Sequence, residues 1–327
     1  IVGCSLVIGT CFGVPSIKEK IVGVSNSSVQ ASSSSTSSNS SNSSTSTLTN
    51  VSLSNYSDTS VYAANKILPS IVGITIEYNV SSSLGSFFGN KQQTSTATAS
   101  GSGIIIKSDG YILTNNHVVS TSSSNNSFYD ISEATKITVK LYNDDTEYEA
   151  KIIGQDEQTD LAIIKIDKSD LTSAELADSS KVKVGEFAMA VGSPLGMESS
   201  ITCGVISATN RQITDSDGKT FTLIQTDAAI NSGNSGGALV NSEGKVIGIN
   251  TMKVSSTGVE GMGFAIPINS TLDVTNQLIQ YNKVKRPYIG IGGLDLDEKT
   301  AKANNLVKGV YVKTIENFSA AEKAGIK

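Results

Sequence analysis

From Ile71 onward the apolar residues fall into short runs separated by turn signals. The first six are IVGITIEY (71–78), GIIIK (103–107), YILT (111–114), ITVKLY (137–142), EYEAKIIG (147–154) and LAIIKI (161–166). SDG (108–110) and YNDD (142–145) punctuate them, and runs of this length, rich in Val, Ile, Thr and Tyr, read as strands. A second series follows: FAMAV (187–191), ITCGVISA (201–208), FTLIQT (221–226), GALV (237–240), KVIGIN (245–250) and GFAI (263–266). Six and six, with no helical period between them, predict an all-β protein of two antiparallel barrels rather than βαβ units. Helices are expected at the margins. DTSVYAANKILP places Asp58 near a helix cap and Pro69 at its end. After Pro267, Ser270 and Asp273 have the spacing of a capping box, with Leu272, Leu278 and Ile279 as inward positions.

The pattern before Asp58 is different. Residues 1–17 carry no charge, and Lys18, Glu19 and Lys20 close the run. That is slightly short of the ~20 residues that cross a bilayer. The chain has no initiator Met and stops at KAGIK, so it is expected to be a piece of a longer protein, with residues 1–20 as a truncated membrane anchor helix. A cleaved signal peptide is the rival reading. IVGC also has the form of a lipoprotein box ending at Cys4, against which the continued hydrophobicity argues. β-branched residues and glycines disfavour a buried core helix. Residues 21–56 are dominated by Ser, Thr and Asn, and Asp58 is the only charge between 25 and 60. Such a segment buries too little apolar surface to offset its chain entropy and is expected to be a disordered tether. About 35 residues of coil reach roughly 30–35 Å.

Composition narrows the chemistry. The 327 residues are Gly-rich and Trp-free with a net charge of −5, and the basic residues form no stripe, so nucleic acid is not an expected partner. Of three cysteines, Cys4 and Cys11 lie in the apolar stretch, leaving Cys203 with a single histidine, His117. No disulfide framework or Cys/His metal site can be built from these, and neither a metal nor another cofactor is expected.

The reactive-looking segment is AAINSGNSGGAL (228–239), where GNSGG flanks Ser235 with glycines that let backbone N–H groups crowd one oxygen. GNSGG also fits the GxSxG of α/β-hydrolases, but those place histidine after the serine, whereas His117 in TNNHVV (114–119) precedes it. The order His, Asp, Ser belongs to the two-barrel chymotrypsin type. DLAIIK (160–165) supplies Asp160 at the head of an apolar strand; Asp130, Asp144, Asp145 and Asp156 sit in polar contexts and read as solvated. The opening IVG looks like the liberated N-terminus that activates trypsin-type zymogens by pairing with an aspartate before the nucleophile. Asn234 stands there instead, so activation by such a pair is excluded.

TNNHVV, DLAIIK and GNSGGAL, followed by a helix and RPYIGI, resemble the HtrA/Deg family of serine proteases from about residue 57 to the end. The resemblance implies a chymotrypsin-like double six-stranded β-barrel over 57–284 and the first part of a PDZ domain over 285–327. It implies a serine endopeptidase in which Ser235 attacks, His117 moves the proton, Asp160 holds the ring, and N–H groups of Gly233 and Ser235 form the oxyanion hole. Ala229 and Ile230 would line a substrate pocket for small or medium aliphatic side chains, since neither is acidic. GSPLG (192–196), the segment 210–221 with Arg211, and TMKVSSTGVEGM (251–262) resemble regulatory loops that a bound peptide would order. Tyr288, Ile289, Gly290 and Ile291 match the loop that receives a peptide C-terminal carboxylate. Residues 120–136 are a longer polar excursion than the family carries and are expected to be a surface loop. Also implied are unfolded polypeptide substrates in protein quality control, peptide C-termini as PDZ partners, and a homotrimer with Tyr56, Phe87 and Phe88 as candidate contacts. The resemblance further implies a single-pass place in the cell membrane, with the protease domain extracytoplasmic. The competing function class is a non-catalytic chaperone or peptide-sensing scaffold of the same fold.

Overall fold

The computed structural model describes residues 53–82, 94–120, 129–193, 199–215, 218–251 and 261–326. The anchor region and most of the tether precede them, and Phe87 and Phe88 also lie outside.

Helix α1 (Leu53–Ile67) opens the described chain, so the last residues of the expected tether are helical. It begins five residues ahead of Asp58, which lies inside the helix rather than at its cap, and Pro69 sits in the single 3-10 turn that follows. Twelve strands then form the two six-stranded sets that the periodicity predicts. β1 (Ile71–Ser82), β2 (Thr94–Ile105), β3 (Tyr111–Asn115), β4 (Tyr129–Leu141), β5 (Glu147–Asp156) and β6 (Leu161–Ile166) close a barrel in the order β1-β2-β3-β6-β5-β4. The second barrel comprises β7 (Phe187–Gly192), β8 (Ser200–Thr214), β9 (Thr220–Thr226), β10 (Ala238–Val240), β11 (Val246–Thr251) and β12 (Gly263–Pro267), closed as β10-β11-β12-β9-β8-β7.

Side-chain alternation explains why so many of these strands are apolar on both faces. On β6, Ala162, Ile164 and Ile166 fill the first barrel, while Leu161 and Ile163 point out of it into a separate core. On β7, Ala188 and Ala190 fill the second barrel, and Met189 and Val191 join that same separate core. It is a seam between the barrels, shared with Ala63 and Ile67 of α1. A strand with a barrel interior on one side and a packed seam on the other reads as a continuous hydrophobic run.

Where strands leave the seam they lose this signature. Residues 94–102 of β2 are mostly Thr, Ser and Ala, yet they pair with β1 from Thr94↔Ser81 onward. The excursion expected to be a loop over 120–136 is strand from Tyr129, paired with β1 through Ser82↔Tyr129 and Val80↔Ile131; residues 121–128 lie outside the described set. Backbone ladders rather than apolar burial hold these extensions, which is why periodicity does not reveal them.

Helix α2 (Asn116–Val119) is one turn inserted after β3. Helix α3 (Ile268–Tyr281) packs Ile268, Val274 and Leu278 into the seam. The expected capping box does not form: Ser270 Oγ donates to the Pro267 carbonyl, and Asp273 accepts from Gln277 Nε2. Leu272 is 43% exposed and Leu278 fully buried, so the inward stripe runs through Thr271, Val274, Thr275 and Leu278, with Leu272 outside it. β13 (Ile291–Leu296) and β14 (Gly309–Ile315) form a two-stranded antiparallel sheet with the short helices α4 (Glu298–Ala303) and α5 (Ala320–Lys323). Among the described residues no helix is long and apolar enough to cross a membrane.

Leu278→Ala, which deletes a buried side chain from the seam, is expected to cost about 2–5 kcal/mol, and Leu272→Ala no more than about 0.5 kcal/mol. Urea unfolding of the two variants checks the assignment of the helix face.

Candidate active site

His117 and Asp160 flank the same end of the β3–β6 pairing, where Asn115 opposes Leu161. The turn before β6 is shaped by Asp156, whose Oδ2 accepts from Thr159 N–H at 3.1 Å and from its hydroxyl at 2.5 Å. The turn delivers Asp160 in a left-handed conformation, φ 56°, which Asp tolerates better than most residues. Its carbonyl then faces α2 and accepts from Asn116 N–H and from Asn115 Nδ2, both at 3.0 Å. The Asp160 side chain, 1% exposed, points the same way. Oδ1 accepts the backbone N–H of His117 at 3.0 Å, and Oδ2 lies 2.8 Å from the His117 Nδ1. Thr251, at the end of β11 in the other barrel, donates its hydroxyl to Oδ2 at 3.4 Å.

An ionised carboxylate only accepts, so the 2.8 Å contact requires the proton of neutral His117 to sit on Nδ1, leaving Nε2 with a lone pair. The His117 side chain is 28% exposed, against 1% for its carboxylate partner. This is the arrangement of a ring held from behind and open in front.

Ser235 enters from the second barrel on a turn that runs through residues 232–236. Asn234 N–H donates to the Asn231 carbonyl at 3.0 Å and Gly237 N–H to that of Asn234 at 2.9 Å. Asn250 brackets the exit, accepting from Gly236 N–H and donating to the Gly237 carbonyl, each at 2.9 Å. Gly236 has φ 81°, and a Cβ there would collide with the Ser102 carbonyl and the Thr114 hydroxyl. Only glycine serves at this point. The turn is tied to the first barrel as well: Ser102 N–H donates to the Ser235 carbonyl at 2.8 Å. Gly101 lies between the two halves of the site, since a Cβ on it would come within 2.6 Å of Val118 and 3.2 Å of the Ser235 carbonyl.

The remaining expected residues are placed as follows. Gly233 (φ 102°) and Ser235 are buried in the turn. Ala229 is exposed, and its carbonyl accepts the Thr202 hydroxyl at 2.7 Å. Ile230 is half-buried against Gly263 and the core of the second barrel. Arg211 is exposed on β8 with its Nε donating to Gln225 Oε1 on β9 at 3.1 Å, an ordinary cross-strand contact. Residues 194–196, 216–217 and 252–260 of the expected regulatory loops lie outside the described set. Tyr288 and Ile289 are exposed, Gly290 has φ 80°, and Ile291 begins β13. The loop is held by Glu316 N–H on the Gly290 carbonyl and Ala321 N–H on that of Ile289, both 2.9 Å. Tyr56 is 43% exposed, its ring meeting that of Phe187 edge-on. Among the described residues no cluster of His, Cys, Asp or Glu could hold a metal.

Two aspartates read as solvated are not. Asp156 is 8% exposed and forms a two-pronged pair with Arg286, both N–O distances 2.6 Å. Nothing in the local sequence marks it, because its partner lies 130 residues away. Asp144, also read as solvated, is only 28% exposed and bonds Tyr148 and Lys168; Asp145 is fully exposed, as expected. Thr251 carries no sequence signal for its contact with Asp160, and Ser102 is visible only as a serine between glycines in ASGSG.

Two closed six-stranded barrels with the site at their junction make a chymotrypsin-like fold. Residues 101–249 match the family model described as "Trypsin-like peptidase domain". The chain is 40% identical over its whole length to "Serine protease Do-like HtrB" of Bacillus subtilis, covering 69% of that protein. It is 41% identical to "Serine protease Do-like HtrA" of the same organism, over 79% of this chain and 59% of the relative. With "Periplasmic pH-dependent serine endoprotease DegQ" of Escherichia coli it shares 41% identity over 80% of this chain and 58% of that one. The solved structure "HtrA-type protease AlgW with decapeptide" superposes with a TM-score of 0.64 at 32% identity, over 82% of each chain. The chain therefore belongs to the HtrA/Deg family of serine proteases, and it spans roughly half to two thirds of the length of these curated relatives.

Burial on its own raises the Asp156 carboxyl, but the hydrogen bonds from Arg286 and Thr159 outweigh it and hold the group below its ordinary value. A carboxyl lowered on folding adds stability above its unfolded value, near 3.9, and that contribution is lost as pH falls through the folded one. Asp156→Asn is expected to cost about 2 kcal/mol at pH 7 and to lose less further stability between pH 5 and pH 2 than the wild type. Urea midpoints across that range test both parts.

Proposed function

We propose that this protein is a serine endopeptidase acting through His117, Asp160 and Ser235. The observation that carries the reading is the buried Asp160 carboxylate, 2.8 Å from the Nδ1 of the chain's single histidine. Such a contact fixes the tautomer in which Nε2 is a base. In this account Ser235 Oγ adds to a peptide carbonyl while His117 Nε2 takes its proton and then delivers it to the leaving amine. A water molecule, deprotonated by the same nitrogen, then releases the acyl group. The N–H groups of Gly233 and Ser235 receive the oxyanion, each worth roughly 3–4 kcal/mol to the transition state.

The substrates proposed are unfolded or misfolded polypeptides outside the cytoplasm, in keeping with the periplasmic assignment in the names of relatives. Ala229 and Ile230 present no negative charge to a basic side chain, so cleavage after small or medium aliphatic residues such as Val and Ala is expected. Residues 285–327 are proposed as the first part of a PDZ domain whose loop at Tyr288–Ile291 takes a peptide C-terminus by strand addition. Binding there would order the loops around the oxyanion hole. A membrane anchor over residues 1–20, a tether from residue 21 up to α1 and assembly as a homotrimer complete the proposal.

Wild-type protein is expected to cleave casein and to be labelled by a fluorophosphonate on Ser235, and Ser235→Ala to do neither. Casein cleavage retained in Ser235→Ala sinks the reading. Asp160→Asn is expected to lower kcat by about 10⁴-fold with little change in KM, measured on a peptide cut after Val. A cleavage-site profile dominated by Arg or Lys contradicts the proposed pocket, and small-ester hydrolysis indifferent to activating peptide contradicts loop ordering.

A further inference from the structure

Ser102 lies on β2 of the first barrel, fully buried, and every polar atom it has is spent at the junction of the two barrels. Its hydroxyl donates to the Gly233 carbonyl at 2.6 Å and accepts the backbone N–H of Ser193 at 2.7 Å. Its N–H donates to the Ser235 carbonyl at 2.8 Å, and its own carbonyl accepts the Thr114 hydroxyl at 2.7 Å. The directions are unambiguous. A backbone N–H can only donate, so the one hydroxyl proton goes to Gly233.

We propose that Ser102 is a positioning residue for the oxyanion-binding N–H of Gly233, and that it ties the placement of Ser193, the residue after β7, to the nucleophile turn. The proposal rests on the reading of Ser235 as nucleophile. Residue 102 grips the carbonyls on both sides of Asn234, those of Gly233 and Ser235, while Asn234 N–H is bound to Asn231. With these held, the direction of the Gly233 N–H depends on the two torsions of Gly233 that join its own peptide to the held one, φ being 102°. Glycine alone does not hold such an angle, because it populates both signs of φ with similar ease. The hydroxyl adds a restraint from outside the turn by fixing the peptide on the carbonyl side of Gly233.

The same oxygen is where β7 ends. A Cβ on Gly192 would come within 2.8 Å of both Ser102 Oγ and Asn234 Cα, so the strand end, the hydroxyl and the turn are in mutual contact. Ser193, the next residue, donates to Ser102. The Ser102 oxygen therefore joins Ser193 to Gly233 by two hydrogen bonds. Without that oxygen, the buried Gly233 carbonyl loses its hydroxyl donor and the Ser193 N–H loses this acceptor. The peptide that carries the carbonyl then turns toward another donor and takes the Gly233 N–H out of line.

The test compares the wild-type 327-residue chain with Ser102→Ala, and with Ser102→Cys as a second variant that keeps a side chain of similar shape but only a weak donor. Rates are normalised to folded protein measured by thermal unfolding. Four quantities are read: kcat and KM on a peptide substrate, affinity for a peptide boronate that forms a tetrahedral adduct with the serine, and affinity for the corresponding product peptide. Folded Ser102→Ala is expected to lose about 10²-fold in kcat and a similar factor in boronate affinity. KM and product affinity should stay within about threefold, and Ser102→Cys should shift in the same direction by less. Wild-type kcat and boronate affinity in a folded variant overturn the proposal, as does an equal loss of boronate and product binding, which marks general damage to the cleft. A wild-type chain that neither hydrolyses the peptide nor binds the boronate removes the nucleophile reading itself, and this proposal with it.

Discussion

The structure turns on one buried carboxylate. Asp160 sits at the head of β6 with its backbone in a left-handed conformation and its side chain closed off from water. A charge in such a place is tolerated only when surrounding donors meet it. Here the donors are the imidazole and the backbone N–H of His117, with Thr251 from the opposite barrel. The carbonyl of the same residue takes the backbone of Asn116 and the side chain of Asn115. The turn that ends β3 is thus built around Asp160, and the ring of His117 has one orientation because the carboxylate has one.

The two-faced strands explain where this site can form. Leu161 and Ile163 bury one face of β6 in the seam, and Val191, Ala238 and Ile249 do the same from the second barrel. Polar residues at this junction are drawn into hydrogen-bond networks, and the one around Ser102 links β2, the end of β7 and the turn that carries Ser235. The cleft is the place where the seam's apolar packing gives way to hydrogen bonds. His117 is partly open to solvent there, while Asp160 is not.

Much of this was legible beforehand, for a physical reason. LAIIKI and FAMAV are apolar on both faces because they are packed on both faces, so strand, barrel and seam all leave the same mark in the sequence. The order of His117, Asp160 and Ser235 was likewise readable, since chain order separates this fold from α/β-hydrolases. What stayed hidden depends on distant partners. Thr94–Ser102 carries no apolar run, so its ladder with β1 leaves no mark in the periodicity. Asp156 looks solvated until Arg286 arrives from beyond α3. Leu272 has the right spacing for an inward residue, but the seam meets the helix along the line of Val274 and Leu278. Ser102 is a small residue among glycines, and its significance lies in four hydrogen bonds to residues between 12 and 133 positions away.

Because the chain holds a single histidine, its imidazole can be observed without assignment ambiguity. Nitrogen-detected proton NMR of the wild type near pH 8, with Asp160→Asn as the reference, tests the central claim directly. The account predicts a neutral ring protonated on Nδ1, with a strongly downfield Nδ1–H resonance that moves or disappears in Asp160→Asn. A ring protonated on Nε2, or a resonance indifferent to that substitution, contradicts it.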